Sequence, residues 1–243
     1  MRKAEGLTAV EGVKEIEMAL AGGCGFHSLF CIEGLADQTL LTQILKAHPD
    51  IAYFELSEAL FSKTAYREST GGMIAIVRVP ATELQQLNLP FNPLILIIEG
   101  VEKPGNLGAM LRTADAAAVD AVVCCDMPGD LFNPNTIRAS LGTIFTVPLA
   151  TASGSEVRQW LKANAVKTYC TNLHKASDYD QEDYTGASAI VVGTEASGVS
   201  ESWIQFSDRN VKIPMLGKID SMNVSVAAAI MIYEARRQRS RLK

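Results

Sequence analysis

Histidine and cysteine are scarce in this 243-residue chain: there are three histidines, and the five cysteines, at positions 24, 31, 124, 125 and 170, form no C-x-x-C pair. A zinc site has no ligand cluster to build on, so no metal is expected, and buried free thiols in a reducing compartment are the better reading. Long hydrophobic runs are also missing. The longest, Val224 to Tyr233, is broken by Ser225 and diluted with alanine, and it falls well short of the ~18 residues of a membrane span. The opening MRKAEGLTAVEGVKE has no apolar core of the signal-peptide kind. A soluble, cytoplasmic protein with no membrane association is the expectation. Surplus positive charge is absent as well: 22 Lys+Arg stand against 27 Asp+Glu, a net charge of −5. Nonspecific coating of nucleic acid depends on phosphate neutralisation, so that class is disfavoured. Local basic patches remain open. The C-terminal EARRQRSRLK, with Arg236, Arg237, Arg239, Arg241 and Lys243, is one. It reads equally well as an RNA contact or as a helix end whose cations complement the helix dipole.

What is present is an ordinary globular composition, 48% hydrophobic and 20% charged, in a chain long enough for one large domain or two small ones. The apolar segments alternate in type. FHSLFCIEG (26–34), IAYFEL (51–56) and MIAIVRV (73–79) predict short strands. Between the first two, LADQTLLTQILKAHP carries helical spacing at Leu40, Leu41, Ile44 and Leu45, closed by Pro49. PATELQQLNLPFNP, with three prolines and few bulky core residues, predicts a linker ending near residue 92. Beyond it, LILIIEG (94–100), AVVCCD (121–126), TIFTVPLA (143–150), VKTYCTN (166–172) and SAIVVGTE (188–195) read as strands apolar on both faces, mostly separated by helical stretches. That pattern implies a parallel sheet covered on both sides. The expected division is therefore residues 1–88 and 93–243.

Ligands of parallel α/β sheets bind beyond the carboxyl ends of the strands, and three segments there carry residues a core does not need. In EGVEKPGNLGAMLRTADAAAVDAVV, Gly105 and Gly108 bracket Asn106, and Arg112 stands among alanines. The spacing is not the G-x-G-x-x-G of a dinucleotide site, and Asp126 is the sole candidate ribose ligand after the next strand, which disfavours a nucleotide-dependent oxidoreductase. Arg112 is either a ligand-directed cation or a surface arginine paired with Asp115. In AIVVGTEASGVSESW, a strand runs into Gly193, Glu195 and Gly198. Glycines permit close backbone approach to a ligand, while Ser200 could instead cap a following helix. In VKIPMLGKIDSMNVSVAAAIMIYE, Ser221, Asn223 and Ser225 crowd the mouth of an apolar helix where a cap needs only one of them. The surplus suggests a site.

The order and spacing of NLGAMLRTADAAAVDAVV, VVGTEASGVS and IPMLGKIDSMNVSVAAAIMIYE resemble the three motifs of the SpoU (TrmH-like) family of RNA ribose 2'-O-methyltransferases, of the SPOUT class. NPNTIRASLGTIFTVPL between them is similar to the same family, and Met222 stands where that family most often has leucine. The resemblance implies a SPOUT-type parallel sheet with a C-terminal trefoil knot. EGVKEIEMALAGG and ALFSKTAYRESTGGMIAIVRVP look, more loosely, like the family's N-terminal substrate-binding domain, a small α/β domain like ribosomal protein L30e.

The resemblance further implies methyl transfer from S-adenosylmethionine to a ribose 2'-hydroxyl of structured RNA, with rRNA favoured over tRNA. A catalytically inactive RNA-binding or assembly factor on the same fold is the alternative class. Carried over, Gly193, Glu195 and Gly198 form one wall of the cofactor site, and Ile213, Met215, Ser221, Met222 and Asn223 form the other. Arg112, Asn106, Glu195 and Asn223 are the expected catalytic group. A guanidinium is a poor base, which favours phosphate anchoring by Arg112 over proton abstraction. Arg138, Ser140, Lys63 and Arg67 are the expected RNA contacts. The family's dimeric state, with the arginine acting in cis or in trans, implies a homodimer, and a helix apolar all round needs burial on more than one side.

Overall fold

The computed structural model describes residues 5–66, 70–173, 175–195 and 197–241. By its internal contacts the chain divides into two units, Met1–Pro80 with Leu131–Thr146, and Ala81–Asp130 with Val147–Lys243. The first begins with β1 (Leu7–Glu11), α1 (Val13–Ala21), β2 (Phe26–Ile32), α2 (Gln38–Ala47), β3 (Ala52–Leu56), α3 (Glu58–Thr64) and β4 (Met73–Arg78). Its strands lie in the order β1-β4-β2-β3. β2 and β3 are parallel, and the other two pairs are antiparallel. The Asp37 carboxylate accepts from Leu40 N at 2.9 Å and starts α2. That helix buries Leu40, Leu41 and Ile44, the stripe its spacing predicts. In this unit β1 is a strand that the sequence does not announce. Only Thr8 and Val10 of its five residues point inward, too short an alternation to stand out beside the helix that follows.

The second unit contains β5 (Leu94–Glu99), α4 (Pro104–Ala116) and β6 (Ala121–Cys125). After α5 (Pro134–Ala139), which packs with the first unit, come β7 (Leu149–Ala152), α6 (Gly154–Ala163), β8 (Lys167–Thr171) and β9 (Ser177–Asp178). β10 (Ser188–Val192), α7 (Glu201–Phe206), β11 (Arg209–Lys212) and α8 (Val224–Ser240) complete it. The sheet runs β7-β6-β5-β10-β8-β11-β9 with every pairing parallel. β5, β6 and β10 are buried at every position. Both faces are therefore covered, which is why those strands read as unbroken apolar runs rather than alternating ones. On one face Val157, Leu161 and Trp203 pack over Ile95, Ile97, Val123 and Val191. α8 packs against α4, β5 and β10. It buries Val224, Ala228, Met231, Ile232 and Ala235, while Val226 and Tyr233 remain about half exposed.

Three expectations change. The strand expected over 143–150 exists only from Leu149; Thr143–Phe145 is a 3-10 turn led in by Gly142 at φ +80. Its apolar run reflects burial rather than extension, since Ile144 and Phe145 sit in the core of the first unit. There Phe145 stacks on Phe132 at 6.0 Å. A Cβ on Gly22 would lie 2.2 Å from the Phe145 carbonyl oxygen, so only glycine allows that approach. The segment bearing Arg138 and Ser140 thus belongs by its contacts to the N-terminal unit, not to the sheet that flanks it in sequence. The proline-rich stretch after Pro80 is not a bare linker either. It forms a 3-10 turn at Leu84–Gln86 with Leu84 buried, and Thr82 O accepts from Thr151 N on β7 at 2.7 Å.

The C-terminal basic stretch is largely stitched into the second unit. Arg236 donates to the carbonyls of Ala117 and Ala118 at the end of α4. Arg239 donates to the carbonyls of Asn92, Pro93, Tyr184 and Gly186. Arg237 pairs with Glu234 at 2.6 Å. Lys243 lies outside the described residues.

Candidate active site

The first glycine-marked segment leaves β5 at Glu99. Glu99 is buried, and its carboxylate accepts from Ser200 N at 2.7 Å, tying the exit of β5 to the entry of α7. Gly100 turns at φ +63, and Pro104 occupies the first turn of α4, where a missing N–H costs nothing. Asp126 has a structural partner in its own chain. Both its carboxylate oxygens accept from Gly154 N at 3.1 Å and hold the start of α6.

The second segment folds back on itself. Thr194 and Gly198 exchange backbone hydrogen bonds of 2.9 and 3.0 Å, and Gly198 sits at φ +67. This closure brings Gly198 so near that a Cβ on Gly193 would lie 2.1 Å from its carbonyl oxygen. Glycine at 193 is therefore a steric requirement. Ser200 does occupy the N-cap position of α7, yet its hydroxyl bonds to the Ser202 hydroxyl rather than to a backbone N–H of the helix.

The third segment explains its own surplus of small polar residues. Asn223 caps α8 with its Oδ1, which accepts from Ser225 N at 3.0 Å and from the Ser225 hydroxyl. Its Nδ2 points the other way and donates to Asn106 Oδ1 at 2.9 Å and Glu195 Oε1 at 2.6 Å. One amide joins residues 117 and 28 positions away in sequence. Lys103 completes the cluster with an ion pair to Glu195 Oε2. The Lys103 ammonium, followed by Asn106 and Asn223, holds the Glu195 carboxyl below the usual carboxylate range.

Beside this cluster opens a cavity of about 530 Å³, within the range of small-molecule sites. Gly193, Glu195 and Gly198 line one part of it, and Ile213, Met215, Ser221 and Met222 another. Glu201, Lys212 and Asp220 add charge to its wall. Backbone and methionine surfaces suit a flat aromatic ring, and the carboxylates suit a cationic group.

Arg112 is not brought to this cluster. It is exposed, it does not line the cavity, and it makes no hydrogen bond or ion pair among the described residues, Asp115 included. It lies six residues beyond Asn106, roughly 240° further round a helix of 3.6 residues per turn. In the first unit, Arg138 donates to Asn135 Oδ1 at 2.7 Å and lies over the Tyr66 ring at 5.7 Å. Ser140 is fully buried, with its hydroxyl donating to Ile137 O at 2.8 Å, so it secures the end of α5. Lys63 is exposed on α3. Arg67 lies outside the described residues. The residue that motif reading passes over is Lys103. Its signal is only its place, three residues before Asn106.

Residues 93–233 match the SpoU rRNA Methylase family, and residues 1–75 match the MRM3-like substrate binding domain. The chain is 36% identical over 186 residues, 76% of its length and 73% of the relative's, to the Bacillus subtilis 23S rRNA (guanosine(2553)-2'-O)-methyltransferase RlmP. It is 32% identical to the Vibrio vulnificus 23S rRNA (guanosine-2'-O-)-methyltransferase RlmB, over 88% of this chain and 90% of that one. A Staphylococcus aureus relative described as a putative TrmH family tRNA/rRNA methyltransferase is 30% identical over 96% of each chain. Among solved structures, an RNA 2'-O ribose methyltransferase superposes with a TM-score of 0.83 at 37% identity, covering 98% of this chain and 91% of that one. The Streptomyces viridochromogenes SpoU methyltransferase AviRb, in complex with AdoMet, superposes at 0.88 with 26% identity, over 98% and 92% of the two chains. The segments that form the cavity and its polar cluster all fall within the matched region, and the chain belongs to the SpoU rRNA methylase family.

Proposed function

We propose that this protein transfers a methyl group from S-adenosylmethionine to a ribose 2'-hydroxyl of structured RNA, with rRNA as the favoured substrate. The observation that carries the reading is the junction of Asn106, Glu195 and Asn223, three distant segments joined by side-chain hydrogen bonds, with Glu195 itself lining the cavity. The residues present fit the cofactor. Gly193 and Gly198 line the cavity with bare backbone, Ile213, Met215 and Met222 offer apolar contact, and Glu195, Glu201 and Asp220 complement positive charge. When bound, S-adenosylmethionine supplies a methyl group on an electrophilic sulfonium.

The chain's own work is then to align the ribose oxygen and manage its proton. Glu195 and the Asn106–Asn223 amide pair orient the hydroxyl. Arg112, exposed and unpaired among the described residues, anchors a phosphate with its guanidinium fork. Its position away from the polar cluster of its own chain favours action in trans in a homodimer. The exposed apolar stripe of α8, Val226 and Tyr233, supports the same assembly. Strand order and the packing of α8 over β5 and β10 are compatible with a trefoil knot around the cavity. The N-terminal unit, with Lys63 and the Arg138–Tyr66 pair, serves as the RNA-binding part. Such recognition favours loops and ends, where the 2'-hydroxyl is accessible.

Radiolabelled S-adenosylmethionine, offered with separately purified rRNA and tRNA lacking ribose methylation, tests the reading. Label entering rRNA, and lost in Arg112→Ala, is the expected outcome. Label confined to tRNA would shift the substrate class. Cofactor binding without label on any RNA would favour the inactive RNA-binding factor.

A further inference from the structure

The ion pair between Lys103 and Glu195 sits at the catalytic cluster, yet it works against catalysis as it stands. Methylation of a ribose oxygen requires loss of the hydroxyl proton. The Arg112 guanidinium, with a pKa above about 12, does not accept it. Glu195 is the acceptor at hand, but an ammonium resting on a carboxylate lowers its basicity. The pair is also easily broken. The Lys103 side chain is 73% exposed and that of Glu195 29%, and open pairs of this kind gain little net free energy. When Lys103 leaves, Asn223 Nδ2 still holds Glu195 Oε1 at 2.6 Å, so the carboxylate keeps its place. The other charged groups around Glu195 are Glu201 on α7, Lys212 on β11 and Asp220 in the loop before α8. Lys212 faces Asp178 at 3.7 Å, and Glu102 lies exposed beside Lys103 in sequence. Lys103 is the cation bonded to Glu195. The substrate class brings its own competing anion, the sugar-phosphate backbone.

We propose that Lys103 is a positioning residue that gates Glu195, resting on its carboxylate in the RNA-free protein and moving to a backbone phosphate of bound RNA. This rests on the function proposed above. In the resulting step the O2'–H bond breaks and its proton goes to Glu195. The ribose oxygen forms a bond to the methyl carbon, and the sulfonium sulfur keeps the electrons of the broken C–S bond. The gate restores the basicity of Glu195 only when a target is docked.

Lys103→Met tests it, with Lys103→Arg as the conservative control. Removing a phosphate contact makes the plot of log affinity for RNA against log salt shallower by about 0.7–0.9, and RNA affinity falls about tenfold. Loss of the ammonium raises the Glu195 pKa in the free protein, so the acid limb of kcat/KM moves to higher pH. The acid limb of kcat stays in place, because in the RNA complex Lys103 has already left. Lys103→Arg restores the salt slope. An unchanged slope would overturn the phosphate contact. Acid limbs of kcat and kcat/KM that shift together would overturn the exchange, since Lys103 would then stay on Glu195 throughout. The slope is read whether or not methyl transfer occurs. A wild-type protein with a Lys103-dependent slope and no transfer to any RNA would thus count against the proposed activity alone. An active wild type indistinguishable from Lys103→Met would count against the gate alone.

Discussion

Asn223 uses the two ends of one amide for different purposes. Oδ1 caps α8 through Ser225, and Nδ2 binds Asn106 and Glu195. The two roles separate by substitution. Asn223→Ser keeps a capping oxygen but has no amide donor, so its unfolding free energy should stay within about 0.5 kcal/mol of wild type while kcat falls. Asn223→Ala should lose activity and also about 1 kcal/mol of stability. Urea denaturation beside methyl-transfer kinetics reads both. If the serine variant kept full turnover, the link from Asn223 to Glu195 would be structural only. In sequence, Ser221, Asn223 and Ser225 stand out as a surplus; which of them caps and which faces the cavity depends on side-chain direction, and that is fixed only when α4 and the Gly193 turn arrive. Lys103 is illegible for the same reason, since nothing in EKPGN announces a carboxylate 92 residues away.

At the scale of elements, α8 is a helix buried along one face, and its polar C-terminal end acts as a clasp. Arg239 joins the carbonyls before β5 to those before β10, and Ser188 donates to three of the same oxygens, those of Pro93, Tyr184 and Gly186. Arg239→Ala should lower stability by about 2 kcal/mol, read as a lower urea midpoint with unchanged slope, and leave cofactor affinity unaltered. An unmoved midpoint would mean that solvent replaces the guanidinium without cost. β5, β6, β8 and β10 are legible to within a few residues, because burial on both faces demands apolar runs, whereas the two-residue β9 leaves no such mark. The expected strand at 143–150 is the counterexample. A buried 3-10 turn and a buried strand share one composition, and only Gly142 and the close approach of Gly22 to Phe145 distinguish them.

For the whole molecule, the apolar circumference of α8 is only partly covered by its own chain, leaving Val226 and Tyr233 about half exposed. A homodimer covering this face should appear as a doubled mass by light scattering at micromolar concentration, and Val226→Asp with Tyr233→Asp should halve that mass. A wild-type monomer under those conditions would rule the dimer out. All five cysteines are buried. Burial pushes the thiols of Cys24 and Cys31 up to about 11 and those of Cys125 and Cys170 to about 12. They pack as small apolar side chains rather than as reactive groups.

The sequence by itself determined the class of the fold and the neighbourhood of the site. Continuous apolar strands can satisfy their two faces only inside a covered parallel sheet, and glycines with stray polar residues after those strands mark where its ligands bind. Tertiary structure alone decided the rest. Hydrogen bonds and ion pairs between distant residues have no local signature, so the Asn223 bridge, the Lys103–Glu195 pair and the Arg239 clasp could not be read in advance. The same holds for residues 131–146, which pack with the N-terminal unit because their buried apolar side chains find partners there, whatever strands lie next to them in the chain.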